Sequence, residues 1–307
     1  MKMYGVKLYD KAFCTSQNLD LMQKCGLNTV FLGRGALVPA FTEELSIRGM
    51  FWNIVEPVFL IDEGESCNPA VLDDSSPAVD DWVRFACPSD KAHLDHVRKR
   101  ITDDIDRFCP PGVSLDFIRF FQYWEMTDPH ASLSDIRRSC YCQKCVAEAS
   151  AFEDEGAWRK NVVERTASSL RALIGGKDED IRVGIHCVPW TGSLFGGARM
   201  SVLGQDVSAL KSIGDYLTPM VYHHMMHMDV SYVRALVEDM ASEGCPSVVP
   251  SIQVREYYRT DPMGVSEFKK ALENALESPS DGVLIYRWED LATDAKRLDV
   301  LRSCLDG

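Results

Sequence analysis

No apolar run in the 307-residue chain approaches the ~20 residues needed to span a bilayer, so no membrane-spanning helix is expected. The first thirteen residues carry no long apolar stretch and no small-residue cleavage site, and they enter a strand-like alternation at once. The expectation is a cytoplasmic protein without a secretion signal. Positive charge is scarce: 33 Lys and Arg stand against 46 Asp and Glu, a formal net charge of −13. That balance argues against a nucleic-acid or anionic-membrane partner. The chain also lacks an internal repeat, a low-complexity tract and any linker that would divide it, so residues 1–307 read as one domain. Gly-Gly-Ala after Phe195 lacks the strand–turn–helix setting of a phosphate-binding loop, and no organic cofactor is expected.

What is present is an ordinary globular composition, 46% hydrophobic and 26% charged, with enough apolar side chains for a substantial core. Eleven cysteines in a chain without a secretion signal imply reduced thiols rather than a disulfide framework. Cys14, Cys25, Cys187, Cys245 and Cys304 read as small core residues.

Strand-like and helix-like patterns alternate from end to end. Strands are expected at residues 6–9, 28–32, 51–59, 113–120, 181–188, 217–222, 247–254 and 283–288. Helices are expected at 19–25, 42–48, from a Ser89 cap to about 107, 158–174, 231–243, 266–276 and through 301. Segment 51–59 is apolar throughout, as suits a strand buried on both faces. Eight alternations predict a parallel sheet closed into a single (β/α)8 TIM barrel. Two connections, residues 61–88 after strand three and 121–156 after strand four, exceed the ~15 residues beyond which a loop usually carries function. Both lie at the C-terminal ends of the strands, where such barrels place their chemistry.

The fourth strand is the most informative segment. Asp116 and Arg119 interrupt an apolar run and are costly to bury unless paired or facing a cavity; the plainer alternative is an ion pair between them bracing the barrel mouth. Glu125 follows beside Tyr123 and Trp124. Carboxylates next to aromatic faces suit a sugar site, with rings to stack on the pyranose and acids to work on the glycosidic bond. Other strand ends add Glu56, His186, Trp190, Tyr222, His223, His224, Gln253, Glu256, Arg287, Trp288, Glu289 and Asp290. Adjacent histidines diverge in extended chain, so hydrogen bonding is favoured over metal for His223 and His224.

Cys140, Cys142 and Cys145 follow C-x-C-x-x-C spacing inside the long fourth loop, and three such thiolates can wrap one tetrahedral Zn²⁺. Cys109 is the preferred fourth ligand, with Cys87 and His130 as alternatives. A closed four-cysteine site would be structural rather than catalytic.

The run Leu115-Asp-Phe-Ile-Arg119, then Tyr123-Trp-Glu125 and the cysteine cluster, resembles TIM-barrel glycoside hydrolases known mainly from genome sequences. So does Gly204-Gln-Asp206 leading into Thr218-Pro-Met-Val-Tyr222-His-His-Met. The likeness covers about a third of the chain. The cysteine cluster is also similar to the zinc cluster of family 42 β-galactosidases, but the Asn-Glu pair those enzymes carry at the end of strand four is absent. The resemblance implies a barrel glycosidase without implying β-galactosidase activity.

The expected function is therefore a retaining or inverting glycoside hydrolase acting on an oligosaccharide. Asp116 and Glu125 form the catalytic pair, with Glu289 next in line. Asp116 suits nucleophile or base, and Glu125, beside Trp124, suits the acid. Glu56, Arg119, Trp124, His186, Trp190, Tyr222, His223, Gln253, Arg287 and Trp288 are the expected substrate contacts. The other readings are a non-catalytic carbohydrate-binding barrel, and a metal-dependent sugar lyase or isomerase using Glu56, His186 and His223. The absence of H-x-H on strand one, where Lys7 and Asp10 are the only polar candidates, disfavours an amidohydrolase.

Overall fold

The computed structural model describes residues 2–62 and 64–305. Eight parallel strands close into a barrel in sequence order: β1 Met3–Leu8, β2 Thr29–Leu32, β3 Phe51–Pro57, β4 Gly112–Asp116, β5 Arg182–Cys187, β6 Tyr216–Val221, β7 Ser251–Gln253 and β8 Gly282–Tyr286. β8 pairs back onto β1 through Met3 with Gly282 to Val6 with Ile285. The fold is the expected (β/α)8 TIM barrel.

Strand side chains alternate between two surroundings. Val6, Leu8, Val30, Leu32, Trp52, Ile54, Val113, Leu115, Val183 and Ile185 point outward into the core beneath the helices. Met3, Phe31, Val55, Tyr216, Val249 and Leu284 point inward and pack the barrel. The Tyr216 hydroxyl donates to Asn53 Oδ1 across the interior at 2.7 Å. Gly112 and Gly184 make room for that pair: a Cβ on either would lie about 2 Å from the Asn53 amide or the Tyr216 ring. The lower barrel is thus a filled core, and the same inward parity carries Lys7, Asp116, His186 and Tyr222 to its upper end.

The outer layer follows amphipathic periodicity. Helix Lys91–Phe108 buries Val97, Ile101 and Ile105 at intervals of four. Its N-cap is Asp90, whose carboxylate accepts from Ala92 N at 2.9 Å, so the cap falls one residue beyond the expected Ser89. Helix Glu155–Gly175 buries Trp158, Val162, Val163, Ala167, Leu170 and Ile174 and is capped by Asp154. The fifth crossover carries only short helices, Ala198–Ser201 and Val207–Leu210. Among the described residues no helix is long and apolar enough to cross a membrane.

Strand four is shorter than expected. Phe117 adopts φ +50°, a left-handed conformation that a bulky residue holds only when its surroundings impose it. The strand ends at Asp116, and Arg119 lies in the following turn rather than within the sheet. The two long loops are built together: Leu72 bridges Ser139, and Tyr141 N donates to Val71 O at 2.9 Å. A two-stranded antiparallel ribbon, Val79–Asp80 with Val83–Arg84, projects from the first of them.

Candidate active site

A cavity of about 450 Å³ opens at the C-terminal end of the barrel. Its walls bring together six of the residues expected from sequence: Asp116, Arg119, Trp124, Glu125, Tyr222 and Arg287. Lys7, Tyr9, Trp82, Tyr258 and Tyr286 also line it.

Asp116 ends β4 pointing inward, 7% exposed, and one of its oxygens accepts from Phe117 N at 2.7 Å. The left-handed turn at Phe117 then sends the chain through Arg119 to the short 3-10 helix Trp124–Met126, which carries Glu125. No ion pair joins Asp116 to Arg119, so the plainer alternative of a bracing pair does not hold. Arg119 donates instead to the carbonyls of Phe120 and Gln122, at 3.2 and 2.9 Å, and its guanidinium lies over the rings of Phe85 and Phe117. Burial lowers Arg119 to about 10 against the pull of Glu125 and Asp116, leaving it a cation at neutral pH.

Glu125 is the most perturbed carboxyl of the cavity. Burial raises its pKa to about 7; Arg119 opposes the rise and Asp116 adds to it. Its Oε2 is buried with no hydrogen-bond partner. Such a group holds a proton near neutrality and has an oxygen turned to no protein donor, as a general acid requires.

The aromatic walls are mutually braced. Tyr222 stacks on Tyr286, with centroids 4.9 Å apart and planes at 27°, and meets Trp124 at 5.8 Å. At the rim Trp82, from the ribbon, donates through Nε1 to the Tyr258 hydroxyl at 2.9 Å. The two rings are 49% and 46% exposed and hang over the mouth from loops after β3 and β7. On the floor Lys7, 1% exposed, contacts His186 Nδ1 at 3.1 Å and the Tyr222 hydroxyl at 3.4 Å.

The remaining expected contacts lie elsewhere. Glu56 falls on the outward parity of β3 and is held by Arg100 Nε at 2.7 Å and Arg34 at 3.1 Å, so it braces the barrel against a helix. Glu289 Oε1 accepts from the backbone of Tyr9 and Asp10 at 2.6 and 2.7 Å; it lines a separate recess beside Arg287. Trp190 is fully buried against Phe195. Trp288 is buried with its indole donating to Asn18. Gln253 holds the backbone of Met225 and Arg255. His223 and His224 both turn to Glu267. His186 points inward beneath the cavity and serves Lys7; burial, then the Lys7 charge, lowers it to about 3, so it is neutral.

The cysteine cluster closes with Cys87 and not with Cys109. The sulfurs of Cys87, Cys140, Cys142 and Cys145 all lie within 4.8 Å of one another, with Cys87 3.6 Å from Cys142 and 3.5 Å from Cys145. A tetrahedral Zn–S₄ centre with bonds of about 2.3 Å has edges of about 3.8 Å, and the four thiols fit it. Cys109 is excluded because it is the exposed left-handed C-cap of helix Lys91–Phe108. Cys87 comes from the end of the first long loop and the other three from the second, so a metal there would pin the two together.

No protein-family model matches the chain, and no curated protein matches it. Solved structures do. The glycoside hydrolase domain of PgaB (BpsB) from Bordetella bronchiseptica superposes with a TM-score of 0.75 at 12% identity, over 99% of both chains. A β-galactosidase from the haloarchaeon Halorubrum lacusprofundi gives 0.68 at 13% identity; the present chain is covered to 99% but spans only 57% of that enzyme. A chitinase from Chromobacterium violaceum gives 0.54 at 10% identity over the whole of both chains. At such identities the likeness is one of fold.

Proposed function

We propose that the protein is a glycoside hydrolase acting on an oligosaccharide, with Glu125 as general acid and Asp116 as nucleophile or general base. The observation that carries this is the pair itself. Two carboxyls share one aromatic-walled cavity, one turned in from the end of β4 and the other holding its proton up to about pH 7 with an oxygen unclaimed. That division of roles is what cleavage of a glycosidic bond needs: one acid protonates the leaving oxygen while one carboxylate attacks C1 or activates water. Tyr222, Tyr286 and Trp124 offer ring faces for stacking, and Trp82 with Tyr258 extends the aromatic surface to the rim. The glycoside hydrolases that share the fold add weight to this reading.

The lyase or isomerase reading loses support, because Glu56 and His223 turn away from the cavity that His186 underlies. A non-catalytic carbohydrate-binding barrel remains the competing account. In the hydrolase reading a structural Zn²⁺ on Cys87, Cys140, Cys142 and Cys145 would hold the two long loops in register above the site. Sugar release from a broad panel of nitrophenyl glycosides and natural oligosaccharides separates the accounts. Hydrolysis of a member supports the enzyme, and binding of glycans without release favours the binding barrel.

A further inference from the structure

Lys7 is a buried ammonium at the floor of the cavity. Its two protein contacts are neutral: the His186 imidazole at 3.1 Å and the Tyr222 hydroxyl at 3.4 Å. An ammonium has three donors, so one N–H is left without a protein acceptor. Among the described residues no carboxylate reaches within the 4.0 Å of an ion pair. Asp116, across the cavity on β4, acts on it only at longer range, and the Tyr286 ring on β8 lies 5.9 Å away. The other cations of the cavity differ. Arg34 is paired to Glu56 and Asp104, Arg287 to Asp290, and Arg119, though it too has no ion pair among the described residues, donates to the backbone carbonyls of Phe120 and Gln122. A buried charge without a partner is costly, and a protein of net charge −13 has no shortage of carboxylates to supply one.

We propose that Lys7 is the binding site for a carboxylate on the substrate, so that the cavity takes an acidic sugar, a hexuronate unit, in preference to its neutral counterpart. This rests on the carbohydrate reading of the cavity and names its substrate class. The ligand carboxylate would accept the spare N–H and neutralise the ammonium. His186 and Tyr222 would keep the amine aimed at it.

The test is calorimetric binding at pH 7 of the methyl glycosides of glucuronate and galacturonate, each against its neutral glucose or galactose partner. At least one uronoside should bind about tenfold or more tighter than its neutral partner, the scale of a charge-assisted hydrogen bond. Lys7→Met should erase that preference. Lys7→Gln, which keeps a donor to His186, should erase it too, and provides a second route if the methionine variant does not fold. In the unaltered protein the preference should fade above about pH 8, where the buried amine loses its proton. Neutral glycosides binding as well as uronosides, a preference that survives in both variants, or no binding by any of the four would overturn the proposal. Uronoside binding without any turnover would leave this site standing and remove the hydrolase. Turnover of neutral glycosides without uronoside preference would do the reverse.

Discussion

Replacing Glu125 by Gln should make the protein more stable at alkaline pH and leave it unchanged in acid. Burial raises the Glu125 carboxyl from 4.5 to about 7. Below pH 4.5 it is protonated whether the chain is folded or not, and it contributes nothing to the pH dependence. Between 4.5 and about 7 the unfolded chain has released the proton while the folded chain still binds it, so stability falls as pH rises. Above 7 both states are ionised and the penalty is constant. At about 1.4 kcal/mol per pH unit the ceiling, with the opposing Arg119 charge already counted in the shift, is roughly 3 kcal/mol, and water reaching the cavity should reduce it to about 1–2 kcal/mol. Gln carries no charge at any pH and escapes the penalty. Urea unfolding of both proteins from pH 4.5 to 8.5 should show Glu125→Gln gaining on the wild type steadily up to about pH 7 and then running parallel. A stability difference that does not vary with pH would refute the buried, poorly solvated acid and, with it, the reason for assigning it the proton.

Three further outcomes are expected. In catalysis, kcat/KM should fall about tenfold per pH unit above about pH 7 as Glu125 loses its proton; a rate that holds level to pH 9 would contradict the assignment. Cys87→Ser should lose bound zinc and stability together while Cys109→Ser keeps both, measured by metal analysis and thermal unfolding; equal zinc in the two variants would remove Cys87 from the site. Glu289→Ala strips the acceptor from two backbone N–H groups of the β1 loop and should cost about 1–3 kcal/mol in urea unfolding; an unchanged midpoint would show that the carboxylate is not the loop's anchor.

The architecture was legible because eight apolar segments each end in a polar cluster, a pattern that survives errors of a few residues at every boundary. That Asp116 and Glu125 would line one cavity was legible for a related reason: they lie nine positions apart in one segment, so little three-dimensional information was needed to join them. Glu56 shows the limit. In a strand apolar on both faces, hydrophobicity does not mark which parity faces the barrel axis, and Glu56 lies one position from the inward Val55 and Pro57. Phe117 hid its left-handed turn because no glycine or asparagine announces it, and so Arg119 was placed inside the strand. Cys87 and Cys109 could be told apart only through the packing of two loops against each other. Trp82 and Tyr258 sit in long connections without periodicity, and nothing local brings them together. Lys7 offered a signal that was read only as a missing metal ligand: a lone amine on the inward parity of the first strand.

The central claim, two carboxyls with divided roles, is tested most directly by leaving-group dependence. Matched nitrophenyl and alkyl glycosides of a cleaved sugar would be given to Glu125→Gln and Asp116→Asn. A nitrophenolate departs with little need of a proton and an alkoxide does not. Glu125→Gln should therefore lose about a hundredfold or more on the alkyl glycoside and much less on the nitrophenyl one, while Asp116→Asn loses both. Equal and small losses on both substrates in both variants would contradict the account and move the chemistry to other residues.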